Sequence, residues 1–64
     1  MPIANISGPH LTVEKKRDLA TRLTQTMSDV YGLPTSSIIV IIQENPPENV
    51  CVGGTLVCDR TSGA

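Results

Sequence analysis

Ile38-Ile39-Val40-Ile41-Ile42 sets five branched aliphatic residues in unbroken succession. Successive side chains of a strand point to opposite faces, so a half-wet strand alternates apolar with polar residues, and a run without alternation fits a strand covered on both sides. The sequence before the run supplies one cover. Thr12 suits a helix N-cap, Val13 is the first residue inside, and Glu14 lies where a negative charge favours the helix dipole. Val13, Ala20, Leu23, Met27 and Val30-Tyr31 recur at helical intervals, with Leu19 beside them, and Lys15, Asp18, Arg22, Gln25 and Asp29 occupy the opposite side. Gly32 followed by Leu33-Pro34 stops the helix, because glycine accepts the left-handed C′ conformation and proline cannot continue the turn. The spacing predicts a helix over about residues 12 to 31.

Ile3, Ala4 and Ile6 form a first short strand, which Ser7-Gly8-Pro9 is expected to end. Strand, helix, strand in that order implies a right-handed crossover with the strands parallel. One helix covers only one face of so small a sheet, so the other face calls for a second copy of the chain. After the aliphatic run, Gln43-Glu44-Asn45 is expected to leave the strand and Pro46-Pro47 to make a rigid loop without ladder donors. Glu48 to Val52 and Thr55 to Cys58 flank Gly53-Gly54 and read as a hairpin. Asp59 to Ala64 reads as a frayed tail, with Asp59 and Arg60 available to dock on a neighbour. The expected architecture is α+β, a β-α-β unit with a C-terminal hairpin, in a single domain over residues 1–64.

Size and composition narrow the function. A 64-residue chain buries only about 60% of the surface its unfolded form exposes and leans on disulfides, metals or partners. Cys51 and Cys58 follow nothing that resembles a secretory signal, which argues against a disulfide and for small packing residues in a β-prone stretch. His10, the single histidine, stands far in sequence from both, so no metal or other cofactor is expected. Tyr31 is the one aromatic residue, which excludes a core built on large rings and leaves oligomerisation as the source of stability. A formal net charge of −1 excludes extended nucleic-acid binding, and Lys15-Lys16-Arg17, flanked by Glu14 and Asp18, reads as a solvated helix face. No apolar run approaches the roughly 18 residues of a membrane span. Asn5-Ile6-Ser7 matches the glycosylation pattern, which matters little without a secretory route. The expectation is a cytoplasmic homo-oligomer with no nucleic-acid or membrane partner.

The chemistry concentrates in Met1-Pro2-Ile3. Initiator methionine is usually trimmed before a small residue, and its loss would leave Pro2 with a free secondary amine at the head of a strand. An α-amino group titrates near ~8. Burial against apolar neighbours lowers that value toward neutrality, where a general base works best.

Met1-Pro2-Ile3, one amphipathic helix, Val40-Ile41-Ile42-Gln43-Glu44 and the Val52-Gly53-Gly54 hairpin together resemble the 4-oxalocrotonate tautomerase family of the tautomerase superfamily. The resemblance covers essentially the whole chain. It implies a β-α-β protomer, a parallel two-stranded sheet joined across a dimer, three dimers in a hexamer, and a catalytic N-terminal proline, here Pro2. Family members that act on dicarboxylate dienols carry one arginine after the first strand and another just before the Val-Ile-Ile stretch. Here the first is replaced by His10 or Leu11 in a loop one residue shorter, the second falls at Ile39, and the aromatic that lines the family's pocket falls at Val50. Without the arginines, bidentate carboxylate recognition is lost, and the expected substrate is a smaller or less charged keto/enol compound, such as a 2-hydroxydienoate.

Under that resemblance Pro2 would move a proton between an enol hydroxyl, or the carbon beside a carbonyl, and another carbon of the conjugated system, with Ile39 and Val50 as its dry wall. Loop N–H groups of His10 and Leu11, or the Asn49 side chain, would steady the enolate oxygen. Lys16, His10 and Arg60 are the candidate cations; the plainer alternatives are a solvated helix, an exposed loop and an intersubunit ion pair. Two other readings stay open. One is a hydratase-like dehalogenase or decarboxylase in which Glu44 or Glu48 activates water, and the other is an oligomeric binding protein in which Pro2 is vestigial.

Overall fold

The structure is a computed structural model, and it describes residues 1–60. Strand β1 (Ile3–Gly8) leads to helix α1 (Val13–Tyr31), which returns to strand β2 (Ile39–Glu44). A hairpin of β3 (Cys51–Val52) and β4 (Thr55–Leu56) follows, and single 3₁₀ turns sit at Thr35–Ser37, Pro47–Asn49 and Val57–Asp59. β1 and β2 pair in parallel, from Ile3 opposite Ile39 to Gly8 opposite Glu44, as a strand-helix-strand crossover requires.

The helix ends where its signals place it. The Thr12 hydroxyl accepts the Lys15 N–H at 3.3 Å. At the far end Gly32 takes φ +67°, and the N–H groups of Gly32 and Leu33 both donate to the Ser28 carbonyl, at 2.9 and 3.2 Å, closing carbonyls that the helix leaves open. Gly53 and Gly54 take φ +61° and +87°, a turn whose twist matches that of the two strands it joins.

Five boundaries differ from the sequence reading, one of them at β3, which starts at Cys51 because Glu48 and Asn49 belong to the Pro47–Asn49 turn. β1 runs on through Ser7 and Gly8, and β2 through Gln43 and Glu44, because each pair closes the ladder opposite the other. The Asn45 N–H still donates to the Gly8 carbonyl at 2.8 Å. Ile38 lies outside β2, its N–H closing the Thr35–Ser37 turn on the Thr35 carbonyl. Val57 and Cys58 leave the hairpin for a 3₁₀ turn that the Arg60 N–H closes on the Val57 carbonyl at 3.1 Å. Asp59 and Arg60 are therefore ordered by backbone bonds, and the remainder of the expected tail lies outside the described residues.

Helix α1 turns Leu19, Ala20, Leu23 and Met27 toward the sheet side, where they are half-buried, and leaves Lys15, Asp18, Arg22, Gln25 and Asp29 exposed. The ends of the apolar stripe are not covered: Val13, Val30 and Tyr31 are exposed. The reason is length. Nineteen helical residues span about 28 Å, whereas six strand residues span about 20 Å, so the helix overhangs its sheet.

No residue among those described is buried. β1 alternates strictly, with Ala4 and Ile6 half-covered and Ile3, Asn5 and Ser7 exposed. Register puts Val40 and Ile42 on the Ala4–Ile6 face, and Ile39, Ile41 and Gln43 on the other. On that second face Ile3 and Ile41 are 53% and 49% exposed. The aliphatic run therefore has one covered face and one open one. Among the described residues no helix is long and apolar enough to cross a membrane. We expect light scattering to give a particle several times heavier than 6.8 kDa, and Ile41→Glu, which puts a charge on the open face, to lower that mass; a native monomer would refute the demand for a second cover.

Candidate active site

Parallel pairing determines which candidate residues meet. At the head of the sheet the Ile39 N–H donates to the Pro2 carbonyl at 3.0 Å, so Pro2 is held by β2 even though it lies outside β1. Pro2 is half-buried, and Met1 before it is 86% exposed. Ile39 is thus tied to Pro2 through its backbone.

Val50 does not adjoin Pro2 within one protomer. It lines a largely apolar cleft of about 440 Å³ with Ser7, Gly8, Pro9, Asn45, Pro47 and Val57, at the opposite end of the strands. The six residue steps from Pro2 to Gly8 put roughly 20 Å between the two ends. The Val57 N–H donates to the Val50 carbonyl at 2.8 Å, which ties the base of the hairpin across the cleft. Asn49 ends the neighbouring 3₁₀ turn and is exposed, as is Arg60 at the close of the last turn. Cys51 and Cys58 are exposed free thiols, so in the protomer they are not the packing residues expected; the hairpin strand that carries Cys51 has no exposed-to-buried alternation.

Beside the cleft, three of the candidates converge on one atom. Glu44 Oε2 accepts the Leu11 N–H at 3.0 Å, lies 2.7 Å from His10 Nδ1, and lies 3.2 Å from Lys16 Nζ. Glu44 belongs to β2, His10 and Leu11 to the loop after β1, and Lys16 to the sheet-facing stripe of α1. The carboxylate thus ties three elements together. The Leu11 N–H, then the Lys16 ammonium, hold its carboxyl below the ordinary range, and His10 adds to the effect. Hydrogen bonds and positive charge that favour the ionised form have this consequence. The Leu11 N–H is consumed by its bond to Glu44.

In the sequence Glu44 stood out only as a possible activator of water. Its role as an anchor is invisible there, because it depends on the Gly8–Glu44 register that brings residues 33 apart in sequence into contact. Among the described residues no three potential metal ligands cluster.

The pieces define a class: a small β-α-β protein whose proline-headed strand and polar loop stand at opposite ends of a parallel pair, the layout of a tautomerase protomer. A family model described as "Tautomerase enzyme" matches residues 2–60. The probable tautomerase K2 of Dickeya dadantii is 33% identical over all of this chain and 98% of that protein. Among solved structures, DmpI from Archaeoglobus fulgidus is 45% identical, with a TM-score of 0.85 over 91% of this chain and 100% of that one. A heterohexamer 4-oxalocrotonate tautomerase from Chloroflexus aurantiacus is 25% identical, with a TM-score of 0.79 over 92% and 95% of the two chains. The chain belongs to the 4-oxalocrotonate tautomerase family.

A carboxyl held below its ordinary value in the folded state stabilises the fold fully above that ordinary value, and the contribution disappears as pH falls through the lowered one. Glu44→Gln is therefore expected to melt below the native protein at pH 7. On acidification beneath the ordinary glutamate value of about 4.3 the two melting temperatures should converge, and a gap independent of pH would show that the charge of Glu44 does not stabilise the loop.

Proposed function

We propose that the protein is a keto-enol tautomerase in which Pro2, made N-terminal by loss of Met1, is the general base. The observation that carries this reading is the placement of Pro2 at the head of a strand, its carbonyl bonded to Ile39, in a chain whose family match starts at that residue. A ring amine so fixed has little freedom to lose on reaction, and apolar cover from Ile39 lowers its basicity toward neutrality. Neutral Pro2 takes a proton from an enol hydroxyl or from the carbon beside a carbonyl. It returns the proton to another carbon of the conjugated system. The His10 N–H and the Asn49 amide are the donors for the enolate oxygen, and Lys16, His10 and Arg60 the cations for the substrate's carboxylate.

Because the two ends of the strand pair are roughly 20 Å apart, Pro2 and the Glu44 cluster of one protomer cannot serve the same small molecule. We place the working pocket between copies, where Pro2 and Ile39 of one chain meet the loop, Val50 and the cleft of another. The open sheet face with Ile3 and Ile41 exposed supports association of copies, and the Chloroflexus heterohexamer supports an oligomer of six chains; dimers joined through their sheets, three to a hexamer, satisfy both demands. A small monocarboxylate dienol or enol is the substrate class that a loop without arginine fits.

The alternative that uses a carboxylate to activate water is less well served. Glu44 is tied to three donors, and a carboxylate stabilised in its charged form is a poorer base. Glu48 is exposed in a 3₁₀ turn.

Intact mass should show Met1 removed. Ketonisation of a 2-hydroxydienoate or phenylenolpyruvate should fall by at least about 100-fold in Pro2→Ala, the lower range for loss of a general base. Equal rates in the two proteins, or retention of Met1 throughout, would sink Pro2 as the base, and chloride release from a haloacrylate would favour the hydrolytic alternative.

A further inference from the structure

We infer that Glu44 determines substrate charge: by neutralising Lys16 beside the loop after β1, it makes the pocket prefer an enol acid with one carboxylate over one with two. The inference rests on the proposed reading that this loop faces the substrate.

The chain has five cationic residues, Lys15, Lys16, Arg17, Arg22 and Arg60. Of these, Lys16 alone projects from the sheet-facing side of α1 into the cluster at the end of β2, and its Nζ is 3.2 Å from Glu44 Oε2. Arg22 pairs with Asp18 on the wet side of the same helix, at 3.0 Å. Near the loop, then, the one fixed ammonium, that of Lys16, faces the one carboxylate of Glu44 at 3.2 Å. Glu44 remains ionised at neutral pH, since its donors favour the charged form. All three recorded donors act on Oε2, which concentrates compensation on one oxygen of the carboxylate.

A substrate carboxylate approaching Lys16 therefore also meets the field of Glu44, whose Oε2 lies 3.2 Å from the ammonium. One carboxylate can be placed away from this cluster, near Arg60 or loop N–H groups. A second has to enter it. The repulsion from Glu44 then offsets the attraction to Lys16, and the dicarboxylate gains no affinity for its extra charge. An arginine in this loop would leave a net cation where this chain has none.

A purely structural anchor predicts something else. Gln at position 44 keeps an oxygen to accept the Leu11 N–H, so the backbone tie of the loop is kept while the charge, and the stability that charge supplies, is removed. Loosening of the loop would weaken singly and doubly charged substrates alike, whereas removing a charge alters the ratio between them.

The test compares a 2-hydroxydienoate carrying one carboxylate with its counterpart carrying two, by kcat/KM in native protein, Glu44→Gln and Lys16→Gln. In Glu44→Gln the ratio of dicarboxylate to monocarboxylate should rise roughly five- to tenfold, the size expected for one partly solvated charge at a few ångströms. The gain should shrink as salt is raised. In Lys16→Gln the ratio should fall. Calorimetry with two non-reacting probes, adipate and hexanoate, gives the same comparison without catalysis, so it holds even if Pro2 proves not to be the base. A ratio changed less than twofold in Glu44→Gln, a ratio moved the same way by both variants, or no measurable adipate binding to Glu44→Gln would each overturn the assignment.

Discussion

A two-stranded sheet has two faces, and one helix can dry only one of them. This constraint governs the rest of the molecule. Its consequence is visible in the absence of any buried residue among those described, although the chain carries an aliphatic run suited to a fully enclosed strand. Ala4, Val40, Ile6 and Ile42 share the face on the helix side, and Ile3, Ile39 and Ile41 share the other. Apolar side chains of that kind stabilise a fold only when water is removed from them. The interior of this protein therefore calls for a second surface to complete it.

The parallel crossover adds a second constraint. It sends both strands in one direction, so the residues before β1 and before β2 meet at one end, and those after them at the other. Pro2 and Ile39 share the first end through a backbone bond. His10, Leu11, Lys16 and Glu44 share the second, beside the cleft that Val50 lines. A rigid strand pair cannot fold back to bring these ends together. Thus the separation that keeps Pro2 from the Glu44 cluster also holds each of them on or beside regular structure, where its geometry is fixed.

Much of the fold was legible because local signals and long-range demands agreed. Thr12, Gly32 and Gly53-Gly54 each answer a backbone requirement within a few residues, and each appears where the sequence places it. The helical period gave the right face, but not where cover would end, since Val13, Val30 and Tyr31 have the right phase and lie beyond the sheet. Strand ends were misjudged for a related reason. Ser7-Gly8 and Gln43-Glu44 carry no strand propensity of their own, and pairing with each other is what keeps them in the ladder. At the site, His10, Leu11 and Lys16 could be nominated singly as residues near a loop or helix start. That they share one carboxylate oxygen follows from register and helix phase acting together, and neither can be read from spacing alone.

The anchor at Glu44 also explains how this loop stays ordered without a guanidinium to organise it. An arginine brings several donors in a fixed plane and retains its charge after pairing. Here the carboxylate is the organising group, and the donors come from three places: a backbone N–H, an imidazole and an ammonium. The exchange reverses the sign of the central charge while keeping the loop bound to helix and strand. Order in the loop and positive charge in the loop are consequently separate properties in this protein. Its architecture retains the first by using the charge of Lys16 to hold Glu44, and that same pairing sets a negative charge 3.2 Å from the ammonium.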